Sequence, residues 1–259
     1  MVFKILTLFP EMFTSFLDSS ILKRAISKGL IKVDLINIRD YTKDKYHRTD
    51  TPPVGGGAGL ILKCQPIIDA LKSNSTDKTH KIIMSPRGTT FSQKKAQEFK
   101  NNYDEILILC GHYEGIDERI YGYFDESISI GDFILTGGEP ASMCIIDSVS
   151  RLVKGVISDE SIIDESFSTN LLEYPQYTEP YEYEEKKIPN ILYSGNHKAI
   201  EKWRKKESLR LTREYRKDLF DNYPLTKSDQ KLIKELDDGT TPKWEEDAII
   251  KGHKFIKKD

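Results

Sequence analysis

The sequence predicts an α/β domain on a largely parallel sheet, followed by a smaller all-helical C-terminal domain. Three observations carry that prediction. Short apolar runs alternate with helix-like stretches through the first half of the chain, as in strand-helix-strand units. Two glycine-bounded segments, 109–119 and 128–139, each follow a strand-like run. A cation-rich helical stretch, 196–217, stands apart behind a change of composition at 154–183.

The elements follow in order. Residues 2–9 are apolar with Lys4 inside the run and no small-residue cleavage site, so they read as a buried first strand. Pro10 and Glu11 open an amphipathic stretch, 12–28, with Phe13, Phe16, Leu17 and Ile21 at helical spacing and Gly29 closing it. Ile31, Val33 and Leu35 alternate with Lys32 and Asp34, the pattern of a strand with one solvated face. Residues 39–51 are polar and read as exposed. The stretch 52–59, Pro-Pro-Val-Gly-Gly-Gly-Ala-Gly, must be a loop, because proline lacks a donor and glycine loses the most backbone entropy on ordering.

Two apolar runs, 81–84 and 105–110, flank a polar helix-like stretch at 92–101. A further strand is expected at 127–135, and a further helix at 141–153 with apolar Met143, Ile145, Ile146, Val149 and Leu152. The composition change then sets the boundaries: a first domain at 1–157, a linker at 158–175 and a helical domain at 176–259. In the last, 196–217 and 225–236 read as helices, the second capped by Thr226 or Ser228.

Composition excludes several classes. A chain of 259 residues, 38% hydrophobic, can bury a real core. Lys+Arg 39 nearly cancel Asp+Glu 41, so a charged binding face must come from local clustering. Cys64, Cys110 and Cys144 are odd in number and form no CxxC pair, which argues against a disulfide framework or zinc knuckle and fits a reducing, cytoplasmic setting. No apolar run approaches the roughly 20 residues of a membrane span, so no membrane partner is expected.

Ser85-Pro-Arg-Gly88, residues 111–115 (Gly-His-Tyr-Glu-Gly) and residues 131–138 each read as a turn after a strand. Such turns lie side by side at the carboxyl edge of a parallel sheet, where open α/β folds bind ligands. Their residue types favour main-chain hydrogen bonds and apolar contact. The Gly55-Gly-Gly-Ala-Gly59 loop matches neither nucleotide fingerprint, and it reads either as a flexible turn or as a loop closing over substrate.

His47, His80, His112, His197 and His253 lack metal-ligand spacing and read as isolated surface residues. Asp117 and Glu118 read as carboxylates at a helix N-terminus, whereas Glu114, set between glycines, stands out as a candidate. The stretch 196–217 carries nine cations against Glu201, Glu207 and Glu214, with Trp203 and Tyr215 interleaved. That composition suits a phosphate backbone; its other reading is a solvated charged face.

Six segments together are recognisable: 8–13 (Leu-Phe-Pro-Glu-Met-Phe), 55–59, 110–119, 130–139, 147–151 (Asp-Ser-Val-Ser-Arg) and 192–197 (Leu-Tyr-Ser-Gly-Asn-His). Nearly end to end, the chain resembles the TrmD family of bacterial tRNA (guanine-N1)-methyltransferases, of the SPOUT class. The resemblance implies a deep trefoil knot and an obligate homodimer with an active site shared between subunits. It implies S-adenosylmethionine held by Ile83, Met84, Ser85 and Pro86, by Gly111, Tyr113, Glu114 and Gly115, and by Ser129, Ile130, Gly131, Asp132, Phe133, Ile134, Leu135, Gly137 and Gly138. It implies tRNA, not DNA, as the partner, with contacts at Gly57, Gly59, Ser166, Lys198, Lys202, Arg204, Lys205 and Arg210.

The implied reaction methylates N1 of guanosine at tRNA position 37. N1 carries a proton and is a poor nucleophile, so a carboxylate must remove that proton while the methyl lies in line for displacement. The resemblance gives this role to Glu165, with Asp164 as the alternative, and offers Arg151 to the charge developing on O6. Glu114 is the carboxylate it offers to Mg²⁺. Four departures stand out: Asp164-Glu165 where the family has Glu-Asp or Asp-Asp, Phe133 for tyrosine, Glu179 for arginine, and no paired aspartates at 50–54. A noncatalytic RNA-binding module and a SPOUT ribose 2′-O-methyltransferase are the competing readings.

Overall fold

The strand Glu105–Leu109 shows how the sheet is buried: Ile106 and Ile108 point into one apolar cluster, Leu107 and Leu109 into another, and all four are fully buried. A strand covered on both faces needs no polar alternation, which is why it reads as a continuous apolar run. The computed structural model describes residues 1–158, 166–167 and 170–256. Two compact units divide the chain, Met1–Asp159 and Glu160–Asp259.

In the first unit, β1 (Val2–Thr7), β2 (Lys32–Asn37), β5 (His80–Thr90), β6 (Glu105–Leu109) and β7 (Glu126–Ser129) form one sheet in the order β2-β1-β6-β5-β7. Every pairing is parallel. Phe3, Ile5, Ile82 and Ile108 meet α4 (Gln93–Asn102) and α5 (Glu139–Ser150) on one face through Phe99, Ile145, Ile146 and Val149. Leu6, Ile83, Leu107 and Leu109 meet α3 (Cys64–Asn74) on the other through Ile67 and Leu71. That helix has no counterpart among the elements the periodicity predicts.

Three further elements depart from expectation. The strand expected at 127–135 ends at Ser129, where Gly131 at φ 146° turns the chain into the loop that follows. The 12–28 stretch is broken into a 3-10 turn at Pro10–Phe13 and two helices, α1 (Thr14–Leu17) and α2 (Ser20–Ser27), with Ser20 at φ 46°. Helical spacing survives such a break, so the pattern alone does not reveal it. The 81–84 strand and the turn after it belong to one long strand, β5, whose pairing with β7 slips between Met84 and Thr89. Gly88 makes the slip sterically feasible, because a Cβ there would collide with the backbone of Ser127 and Ile128.

The short antiparallel pair β3 (Asp50–Thr51) and β4 (Ile61–Leu62) brackets the glycine loop. The second unit contains α6 (His197–Tyr215), α7 (Lys217–Asp221), α8 (Lys227–Asp237) and α9 (Lys243–His253), together with a small hairpin of β8 (Glu182–Tyr183) and β9 (Lys186–Lys187). Thr226 caps α8 in a reciprocal box with Asp229. Leu171, from the segment expected as linker, is buried against Leu209 and Leu232, and its neighbour Leu172 donates its N–H to Thr212 at 2.8 Å.

Candidate active site

The carboxyl ends of β5, β6 and β7 surround a cavity of about 360 Å³. Three loops enclose it. The slip in β5 brings Met84, Ser85 and Pro86 to its edge. Behind them, Arg87 stacks on the Tyr121 ring at 3.8 Å and pairs with Glu118 at 3.0 Å, which fixes the bulge. The loop after β6 contributes Gly111, His112, Tyr113, Glu114, Gly115 and Ile116. Its path requires φ 58° at Tyr113 and 131° at Gly115. The loop between β7 and α5 supplies Ser129, Ile130, Gly131, Phe133, Ile134, Leu135, Gly137 and Gly138.

The loops are stitched to one another through the main chain. Gly138 N–H donates to Gly111 O at 2.8 Å, and His112 pairs with Gly137 as an antiparallel bridge. A Cβ at Gly138 would sit 2.8 Å from Cys110 Cα, so only glycine allows this approach. On the other side, Glu114 N–H donates to Leu60 O at 3.1 Å, Leu62 N–H to Gly115 O at 3.0 Å and Asp117 N–H to Leu62 O at 3.1 Å. The 55–59 glycine loop is thereby anchored to the same loop that lines the cavity.

Electrostatics reinforce this anchoring. Asp117 caps the 3-10 turn Glu118–Tyr123, as the sequence predicts, and the Arg119 guanidinium holds its carboxyl well below the usual carboxylate range. Burial, and then the neighbouring Asp117, raises the Cys64 thiol. Beneath the cavity, burial and the nearby Glu139 push the Cys110 thiol well up.

Of the residues the resemblance assigns to cofactor, all but two line this cavity. Ile83 is buried in the core among Leu6 and Leu107, and Asp132 is exposed and off the wall. The structure adds His112, Ile116, Tyr121, Ile128, Thr136 and Ala141. His112 corrects the surface reading, because its imidazole is 20% exposed and packs 4.7 Å from the Phe9 ring. Metal-ligand spacing is the wrong test for it; its place between Gly111 and Tyr113 is the usable signal. His80 corrects it too, being stacked on Tyr103 at 3.9 Å and bonded to Glu126 at 2.7 Å. His47, His197 and His253 are exposed as expected.

Arg151 caps the far end of the 12-residue α5, about 18 Å along the helix from the first turn that borders the cavity. Asp164 and Glu165 fall outside the described residues. Gly57 and Gly59 lie in the exposed glycine loop, and Ser166 Oγ accepts from Glu173 N–H at 2.9 Å. Glu114 is exposed. Among the described residues no three His, Cys, Asp or Glu side chains converge as a metal site.

The cations of α6 are largely neutralised. Lys202 pairs with Glu235 at 3.4 Å, Lys205 with Asp229 at 3.8 Å, Lys206 with Glu245 at 2.7 Å and Arg210 with Glu207 at 2.7 Å. Arg204 covers the Tyr174 ring at 4.6 Å, and Lys198 is exposed. These acids come from α6, α8 and α9, so counting charges along one helix overstates its field.

Comparison with known proteins adds the following. The sequence model of the family described as tRNA (Guanine-1)-methyltransferase TrmD matches residues 1–222. A protein of Clostridium botulinum strain Langeland named tRNA (guanine-N(1)-)-methyltransferase is 52% identical over 234 residues, covering 90% of this chain and 97% of that one. Proteins of the same name are 52% identical in Clostridium perfringens strain SM101, covering 90% and 99%, and 51% identical in Clostridium acetobutylicum, covering 88% and 95%.

Proposed function

The chain belongs to the TrmD family of tRNA (guanine-1)-methyltransferases, and on that premise we propose that it methylates N1 of guanosine at tRNA position 37. The observation that carries the reading is the cavity: about 360 Å³, formed largely by glycines, small residues and apolar side chains at the strand ends. Its size falls within the range of small-molecule sites. Gly137 and Gly138 line it and let the two loops approach closely, since a Cβ at the first would collide with Glu139 and His112 and at the second with the Cys110 and Gly111 backbone, and the exposed Glu114 offers a carboxylate at its edge. A ligand recognised by peptide groups and apolar contact, without a phosphate, fits those features.

S-adenosylmethionine, when bound there, supplies a methyl group on a cationic sulfur. The chain's own groups do the rest. Glu165, with Asp164 as the alternative, accepts the N1 proton as the new N–C bond forms and the C–S bond breaks. Arg151 donates to O6 as negative charge develops on it. Glu114 is the carboxylate that would hold Mg²⁺, an ion content with one or two protein oxygens and water.

The position of Arg151 supports a homodimer with a shared site. It lies a helix length from its own cavity, so a second copy is the simpler source of an arginine at the reacting base. In this reading, 1–157 is the knotted cofactor domain, 158–175 the linker and 176–259 the tRNA-binding domain of a cytoplasmic enzyme.

The test is to incubate the purified protein with labelled S-adenosylmethionine and two transcripts differing only at position 37, guanosine or adenosine. N1-methylguanosine should appear with the first alone. Ribose methylation, or binding without turnover, would overturn the proposal.

A further inference from the structure

Beneath the cavity lies a carboxylate that the mechanism above does not use. Glu139 opens α5 and is fully buried. Its Oε1 accepts from the Thr7 hydroxyl at 2.7 Å, and Thr7 Oγ1 in turn accepts from Phe9 N–H at 2.9 Å. Its Oε2 has no hydrogen-bond partner. The nearest candidate is His112 Nδ1, 3.8 Å away, which is itself buried and unpartnered. A buried donor and a buried acceptor left unmade side by side are each costly.

Gly137 lies over this gap. A Cβ there would overlap Glu139 Oε2 and stand 2.5 Å from His112 Nδ1. The two atoms belong to the two loops already paired through His112 and Gly137, so closing them by about an ångström to hydrogen-bond length draws the 111–115 loop toward the first turn of α5.

We propose that Glu139 is a positioning residue for the cofactor loop: its Oε2 accepts the Nδ1–H of His112, fixing one imidazole tautomer and tightening as the loop closes on its ligand. The bound ligand is S-adenosylmethionine, so the coupling rests on the reading of the cavity given above. Because Nδ1 is the buried nitrogen, the lone pair stays on Nε2, at the part of the ring that retains exposure. The Phe9 N–H on Thr7 keeps the Thr7 hydroxyl proton directed at position 139. Glu139→Gln therefore turns its amide oxygen to Thr7 and its amino group to His112, which forces the other tautomer.

The experiment uses full-length protein labelled with ¹⁵N-histidine, with the His112 signal assigned by its loss in His112→Asn. Nδ1-protonated imidazole is expected in the native protein, with the proton resonance moving downfield on saturation with S-adenosylmethionine, and Nε2-protonated imidazole in Glu139→Gln. Calorimetric affinity for S-adenosylmethionine should fall about tenfold in Glu139→Gln, the scale of one charge-assisted hydrogen bond. His112→Asn, which keeps a donor near Nδ1, should bind more tightly than His112→Ala. A native Nε2–H tautomer, or equal affinities for His112→Asn and His112→Ala, would overturn the proposal. If the native protein bound no S-adenosylmethionine, the cofactor reading would fail, while the tautomer spectra would still decide the Glu139–His112 bond.

Discussion

Gly59 stands so close to Glu114 that a Cβ in its place would lie 2.6 Å from the carboxylate Oε1 and overlap the side-chain stem. The glycine loop and the cavity loop thus share one volume. Backbone bonds from Leu60 and Leu62 hold them in register.

Gly59→Ala is therefore expected to displace Glu114 and, at φ 73°, to strain the loop as well. Turnover should fall about a hundredfold, the scale of an ångström-sized misplacement. In a Glu114→Ala background, where no side chain is left to displace, the additional loss should shrink. Single-turnover kinetics on the four proteins give the coupling.

Glu165→Gln is expected to abolish methyl transfer while leaving S-adenosylmethionine affinity within about threefold, since a base acts on the acceptor rather than on the donor. Single-turnover rates beside calorimetric affinities test it. A large loss of cofactor affinity, or full activity, would remove the residue from that role.

Lys206 is buried between Glu245 and Glu235. Lys206→Ala should destabilise the chain by about 2 kcal/mol, because it leaves the largely buried Glu245 without its cation while Glu235 keeps Lys202, and urea titration reads this directly. It should lower tRNA affinity less than Lys198→Ala, which removes an exposed cation. Filter binding at several salt concentrations should show the shallower slope only for the Lys198 variant.

Iodoacetamide should label Cys144 first, because it is exposed, while Cys110 resists until the chain unfolds. Burial, with Glu139 nearby, raises the Cys110 thiol and keeps it protonated. Peptide mass spectrometry over a time course separates the three cysteines.

Glu105 ties β6 to β1 through Lys4 at 2.9 Å. Burial alone would raise its carboxyl, but hydrogen bonds from Lys4 and Thr79 outweigh burial and hold it below its ordinary value. A depressed folded value means the stabilisation is present above the unfolded pKa, about 4.3, and is lost as pH falls through the folded one. Glu105→Gln should thus cost stability at pH 7 and progressively less in acid, as urea melts across pH would show.

The parallel sheet was legible because β5 and β6 are apolar on both faces, and the cavity because glycines mark loops at strand ends. The break at Ser20 was not, since Phe13, Phe16 and Ile21 keep helical spacing across it. Nor was the neutralisation of α6, whose partners Asp229, Glu235 and Glu245 lie in helices far along the chain. His112 was missed because metal-ligand spacing was the test applied to it, whereas its place between Gly111 and Tyr113 in a cavity loop carried the signal.

Gly111, Gly115, Gly131, Gly137 and Gly138 all border the cavity. A small molecule that gains its grip from peptide groups at these positions would leave the organism few routes to resistance. Most single substitutions change side chains and keep the peptide groups, while replacing Gly137 or Gly138 would drive a Cβ into Glu139 and His112 or into the Cys110 backbone and break the packing of the loops themselves.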